Sequence, residues 1–213
     1  MAELTIRCEQ LSDYRAVEEL TYEAFWNHHV PGCDEHLLMH ALRESIDYIP
    51  ALSFVAHDGD LLVGYICYTK AMIQSADGIN HPALCMGPIS VLPSHQKTGI
   101  GGKMIRHSLE AAKALGHTIV CLYGDPRYYS RFGFRCAERY DIQTADGFWA
   151  VALMAKPLVD GAFSGVSGRF IESPDYEVEA EAMAEYAKTF TSKEKGASDF
   201  QKDFSVLVTL RYQ

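Results

Sequence analysis

Two stretches of this sequence concentrate residue types that do chemistry. The first is "HQKTGIGGK", residues 95–103, where Gly99, Gly101 and Gly102 open a segment with helical apolar spacing. A helix N-terminus offers unpaired backbone N–H groups and the positive end of the macrodipole, and glycine lets a pyrophosphate approach the main chain without Cβ clashes. Lys97, Lys103 and Arg106 add positive charge nearby. A Walker loop needs Ser or Thr after its Gly-Lys pair and a glycine five residues before the second glycine, but Met104 and Lys97 stand in those places. A dinucleotide fingerprint needs a third glycine where Met104 sits, so that reading is weak. A glycine turn holding no ligand stays open on spacing alone. The second stretch is "WNHHVPGCDEHLLMH", residues 26–40, with His36 and His40 one helical turn apart and His28, His29, Cys33, Asp34 and Glu35 close by. It lacks H-E-x-x-H spacing, so solvated or partly packed histidines are the expectation and no metal is assigned.

These residues need elements to position them. "LCMGPISV", Leu84 to Val91, reads as a long strand running straight into the glycine stretch. Ile105, Leu109, Ala112 and Leu115 then mark the buried face of a helix ending at Gly116. Upstream, the pattern predicts a strand at Leu4–Cys8, a helix capped by Ser12 and running to about Trp26, and a second helix over Asp34–Ser45. The second helix is expected to bury Leu37, Leu38, Ala41 and Leu42. "LSFVAH", "DGD" and "LLVGYICYTK" predict a hairpin. Downstream come a strand in "HTIVCLYG", a short helix in "DPRYYSRFGF" broken at Gly133, and a strand over Phe148–Lys156. Beyond Pro157 the sequence predicts a Gly/Ser-rich connection, an acidic helix in "EVEAEAMAEYAKTF" and a final strand in "FSVLVTLRY".

Composition bounds the function. A chain of 213 residues with 48% hydrophobic residues buries an ordinary globular core. A net charge of -9 disfavours nucleic acid and anionic membranes and favours a cationic or amine-bearing partner. Cys8, Cys33, Cys67, Cys85, Cys121 and Cys136 are scattered with no C-x-x-C, which predicts reduced core thiols and a cytoplasmic protein. Met1–Gln10 shows no export signal, no 18-residue apolar run occurs, and neither Asn27 nor Asn80 opens a glycosylation sequon.

Gln96-Lys97-Thr98-Gly99-Ile100-Gly101, preceded by "MGPISVLP" and followed about thirty residues later by "YYSRFGF", resembles the Q/R-x-x-G-x-G/A pyrophosphate loop and its surroundings in the GNAT superfamily of N-acetyltransferases. The wording is similar to that of a bacterial branch of small predicted N-acetyltransferases. The resemblance spans roughly Leu4 to Lys156. It implies an α/β (α+β) fold with a mixed, mostly antiparallel sheet flanked by helices and splayed between its fourth and fifth strands. Residues 1–156 would form this domain and 157–213 a C-terminal extension packed on it.

The resemblance further implies acetyl-CoA as co-substrate. Ile89, Ser90 and Val91 would offer main-chain groups to the pantetheine arm, and Gln96, Lys97, Thr98, Gly99, Ile100, Gly101 and Gly102 would cradle the pyrophosphate. Gly87-Pro88 suits a strand forced apart from its neighbour. Tyr129 corresponds to the tyrosine that gives a proton to the departing thiolate, a phenol of pKa about 10 being protonated at neutral pH; Tyr128 is the alternative. A primary amine of a small molecule, peptide or protein would attack directly in a ternary complex. No nucleic acid or membrane partner is implied, and a second copy of the chain is retained among the partners. Cys85 stands where some relatives carry a glutamate base, so the base must lie elsewhere or be water. Asp125 is a local candidate contributor, and Asp34, Glu35 or His36 would border the acceptor. A non-catalytic acyl-CoA-binding or regulatory module is the alternative function; a nucleotide-binding domain is a third.

Overall fold

The computed structural model describes residues 4–177 and 183–213. Strand β1 (Leu4–Cys8) leads through a 3-10 turn (Leu11–Asp13) into α1 (Tyr14–Phe25), and α2 (Glu35–Leu42) follows. The group that caps this entry is Asp13, not Ser12. Its carboxylate accepts from the Gln10 amide at 2.8 Å and from both terminal nitrogens of Arg7 at 2.6 and 2.8 Å. A charge-assisted bidentate pair outcompetes a hydroxyl for that role. Helix α2 is shorter than expected and turned so that His36, Leu37, Met39 and Leu42 are buried, while Leu38 and Ala41 are only half-buried.

The hairpin forms as its sequence requires. β2 (Phe54–Asp58) and β3 (Leu61–Gln74) pair antiparallel across Gly59, whose φ is 63°. β4 (Asn80–Val91) returns along β3, then come α3 (Ile100–Ala114), β5 (Ile119–Tyr123), α4 (Pro126–Tyr129), β6 (Arg135–Cys136) and β7 (Ile142–Gln143). The strand expected over Phe148–Lys156 is two, β8 (Trp149–Ala150) and β9 (Leu153–Pro157), with a turn at Val151–Ala152. β10 (Gly168–Ile171), α5 (Ala184–Ala187), α6 (Asp199–Thr209) and β11 (Arg211–Tyr212) complete the chain.

Nine strands make one sheet in the order β1-β2-β3-β4-β5-β9-β6, and β10 joins β3 to β7 off that path. Only β4–β5 and β10–β7 are parallel pairs. Alternation along β3 sends Ile66 and Tyr68 to the α3 side, where Met104, Ile105, Leu109 and Ala112 cover them, and Tyr65 and Cys67 to the α1/α2 side, against Val17, Leu20, Met39 and Leu42. Covered on both faces, the strand reads as a continuous apolar run. Each such buried side chain contributes about 1.5–3 kcal/mol.

The tail departs from its sequence pattern. "FSVLVTLRY" lies mostly in α6, because Ser198 and Gln201 form a reciprocal capping box that starts a helix, and only Arg211–Tyr212 is extended, paired with β8. A short apolar run does not separate helix from strand by period alone. The expected acidic helix falls partly on residues 178–182, outside the described residues; Ala184–Ala187 is its described part. Among the described residues no helix is long and apolar enough to cross a membrane.

Candidate active site

The sheet splits where the glycine loop begins. β4 and β5 are paired only at Leu84↔Val120 and Cys85↔Cys121, and from Met86 onward the edge of β4 facing β5 has no strand beside it. Two features produce the split. Gly87 takes a φ of 138° ahead of Pro88, and the β3–β4 register shifts between Ile66 and Tyr68. That φ belongs to glycine, and the one extra residue on β4, where Gly87 and Pro88 oppose Cys67 alone, bends the strand here. Ile89, Ser90 and Val91 follow on the open edge. The Ser90 side chain is buried and shares a hydrogen bond with Thr21 of α1 at 3.1 Å, while Ile89 and Val91 pack toward α3.

From Val91 the chain turns through Pro93–His95 into the loop. Gln96, Lys97, Thr98 and Gly99 are exposed. Lys97 and Gly99 take left-handed φ values of 61° and 91°, so the loop doubles back and α3 starts with the amides of Ile100, Gly101 and Gly102 free of intrahelical acceptors. Gln96 Nε2 donates to the Val91 carbonyl at 3.1 Å, and Thr98 Oγ1 donates to the His95 carbonyl at 2.6 Å, fixing the loop's shape. Beside α3, a depression of about 520 Å³ gathers Arg106, Lys113, Arg131 and Lys156 with one acid, Glu110. It is a basic patch on an acidic protein.

Both tyrosines arrive from the far arm of the split. Asp125 caps α4 by accepting from the Arg127 amide at 2.8 Å and pairs with the Arg127 side chain, which lowers its pKa. That role accounts for its place in the sequence. The Tyr129 ring lies against Gly124, whose Cβ position is 2.3 Å from a ring carbon, and packs toward Phe134. Burial raises its pKa, so the phenol stays protonated. Tyr128 reaches closer to the loop: a Cβ on Gly101 would stand 3.1 Å from its hydroxyl, and Arg131 lies over its ring at 4.6 Å.

Three groups that the sequence analysis did not name, Glu172, Tyr176 and Tyr123, stand at the split around Cys85. Cys85 is buried and its thiol donates to the Glu172 carboxylate at 3.6 Å. Burial holds that thiol well above its ordinary pKa, which removes it as a nucleophile. Glu172 follows β10 directly, Tyr176 donates to the Gly87 carbonyl at 2.9 Å, and Tyr123 extends from β5 with its ring 6.1 Å from Phe170. The signal available was the alternation of "RFIE", which puts Phe170 and Glu172 on one face. Pairing β10 to β3 brings that face to Cys85, a contact nearly ninety residues distant in sequence.

The His-rich segment is packed. His28 stacks on Phe200 and His29 on Phe204 at centroid distances of 4.3 and 4.1 Å, and His40 bonds Glu18 at 3.1 Å under the Tyr186 ring. His36 is 3% exposed, between Tyr22 and Phe190, with burial lowering its pKa to about 4. Residues 191–204 cover this connection: Trp26 and Asn27 donate to the Glu194 carbonyl and Gln201 to that of Asn27. His36 is therefore out of an acceptor's reach, and Glu35 is engaged with His29 and the Asp34 amide. Among the described residues no group of His, Cys, Asp and Glu could hold a metal ion.

Comparison with known proteins agrees with this geometry. Residues 5–137 match the acetyltransferase (GNAT) domain family. The chain is 30% identical over 135 residues to YhbS of Escherichia coli (strain K12), an uncharacterized N-acetyltransferase, covering 63% of this chain and 78% of the relative. The crystal structure of Escherichia coli YhbS in complex with CoA superposes with a TM-score of 0.72 at 25% identity, over 83% of this chain and 93% of that one. A GNAT acetyltransferase from Brucella melitensis in complex with acetyl-CoA gives 0.66 at 25% identity, over 83% and 100%. With its mostly antiparallel sheet opened between β4 and β5 and the glycine loop at the opening, the chain belongs to the GNAT acetyltransferase family.

Proposed function

We propose that the protein is an N-acetyltransferase that moves an acetyl group from acetyl-CoA to a primary amine by direct attack in a ternary complex. The observation that carries this reading is the open edge of β4 ending in a glycine loop at the head of α3. An extended pantetheine can add to that edge as a strand would, through the main chain of Ile89, Ser90 and Val91. The loop Gln96–Gly102 would take the pyrophosphate on the first amides of α3, and the basic depression with Arg106 and Arg131 would receive the remaining phosphate. Acetyl-CoA bound to the Brucella relative, and CoA bound to YhbS, support the same use here.

In this reading a β4 backbone N–H polarises the thioester carbonyl, and Tyr129, protonated and seated against Gly124, gives its proton to the leaving thiolate. The net charge of -9 favours a cationic amine as acceptor. The test is Tyr129→Phe, with Tyr128→Phe as its control. Acetyl-CoA affinity measured by calorimetry should survive in both. Turnover with an amine panel should fall about 10²-fold in Tyr129→Phe and far less in Tyr128→Phe. The reverse order would move the acid to Tyr128. No turnover by the unmodified protein, with acetyl-CoA bound, would leave a coenzyme-binding module.

A further inference from the structure

We propose that Glu172, delivered by the C-terminal segment, is the general base that takes the proton from the acceptor amine; this rests on the acetyl-transfer reading above. The placement is specific. Cys85 is the last β4 residue paired with β5, so its thiol marks the vertex of the opening, and the Glu172 carboxylate lies 3.6 Å from it. Tyr123, two residues past Cys121 and so on the same face of β5, stands opposite. An acetyl group held between the separating strands would have this carboxylate beside it.

The carboxylate is also held in place by its neighbours along the chain. Phe170 before it is buried, Ser173 after it is buried and turns the chain by accepting from the Asp175 amide at 3.4 Å, and Tyr176 anchors to the Gly87 carbonyl. The groups facing it are the Cys85 thiol from β4, Tyr123 from β5 and Glu177 from its own segment, while Tyr176 lies against Cys85. None is a cation. Burial, partly offset by the Cys85 hydrogen bond and reinforced by Glu177, raises its pKa above the ordinary carboxylate value. A half-buried carboxylate with no positive partner among the described residues is a cost to the fold, and such groups concentrate where a base is needed.

The proton accounting closes. Glu172 takes one proton from the ammonium form of the acceptor, and the freed lone pair forms the C–N bond to the acetyl carbon. The C–S bond breaks and its electron pair leaves on sulfur, which takes the Tyr129 proton. The second nitrogen proton, acidified as the amide forms, restores the phenol, and Glu172 releases its proton to solvent.

Glu172→Gln tests this in the full chain, with acetyl-CoA and three probe amines: spermidine, a peptide with an N-terminal alanine, and Nα-acetyl-lysine. The expected result is unchanged acetyl-CoA affinity, a fall of about 10²-fold or more in kcat at neutral pH, and loss of the rising acid limb of the kcat/KM profile. Glu172→Ala should recover part of its rate in added formate, which a purely structural role would not allow. A Glu172→Gln rate within about 2-fold of the unmodified protein, or Glu172→Ala that formate does not rescue, would overturn the assignment. Failure of the unmodified protein to acetylate any probe would instead overturn the acetyl-transfer reading, and the role of Glu172 with it.

Discussion

The residues that matter here are defined by what surrounds them more than by their type. His36, expected to be solvated or partly packed and one of three residues that could border the acceptor, is sealed between Tyr22 and Phe190, with the Cys33 thiol 3.6 Å away. Its pKa, lowered to about 4 from an ordinary 6.5, makes it a stability sensor. Because the folded state holds the neutral form, its contribution is complete above pH 6.5 and is lost as pH falls toward 4. Linkage puts the loss at about 2 kcal/mol by pH 5. Thermal melts from pH 7.5 to 5 should show this slope, and His36→Gln should flatten it. No local pattern separates such a histidine from a ligand or a base, since its burial depends on Phe190, which the tail supplies.

At the scale of elements, the strand-loop-helix unit was legible because it is local. The run into Val91, the glycines, and the apolar spacing of Ile105, Leu109 and Ala112 all lie within one stretch of chain and appear where the pattern places them, while Leu115, expected on the same buried face, is exposed at the end of α3. Gly87 and Pro88 announced the split for the same reason. What was not legible is how the neighbouring element seats its tyrosine. Gly124 ends β5 with no room for a Cβ, its built position falling 2.3 and 2.8 Å from two carbons of the Tyr129 ring. Gly124→Ala must push that ring aside while leaving the glycine loop untouched. Turnover should drop about 10-fold or more with acetyl-CoA affinity preserved, as steady-state kinetics beside calorimetry will read. Helix starts differ for two causes: the Arg7–Asp13 pair forms between a strand and the turn after it, while the Ser198–Gln201 box is local but heads an apolar run whose period fits either a helix or a strand.

Across the whole molecule, the extension over residues 157–213, expected to pack on the domain, enters the sheet itself through β10. β10 pairs with β3 through Arg169↔Gln74, Phe170↔Ile73 and Ile171↔Met72, and with β7 through Gly168↔Ile142 and Arg169↔Gln143. Gly168 is the hinge of that insertion, at φ 135° with its Cβ position 2.1 Å from the Gln74 carbonyl oxygen. Gly168→Ala forces both a disfavoured φ and a backbone clash, for a cost of about 2 kcal/mol or more. Calorimetry should find Tm lowered by roughly 5 °C or more. The placement could not be read from the sequence because the partners of β10 lie some 95 and 26 positions away, beyond the reach of any local pattern.

The same strand decides what the rest of the sheet shows to other molecules. One edge of β3 is taken by β4, and the other is shared between β2, the backbone of Asp47 and Ile49, and β10. Without β10, Met72–Gln74 would present a row of unsatisfied N–H and C=O groups with Ile73 stripped of its cover, a template for pairing with another chain. A cut in the glycine-rich run before Gly168 would therefore release no trimmed, soluble core. It would uncover an adhesive edge, so the C-terminal segment acts as the protein's own guard against aggregation.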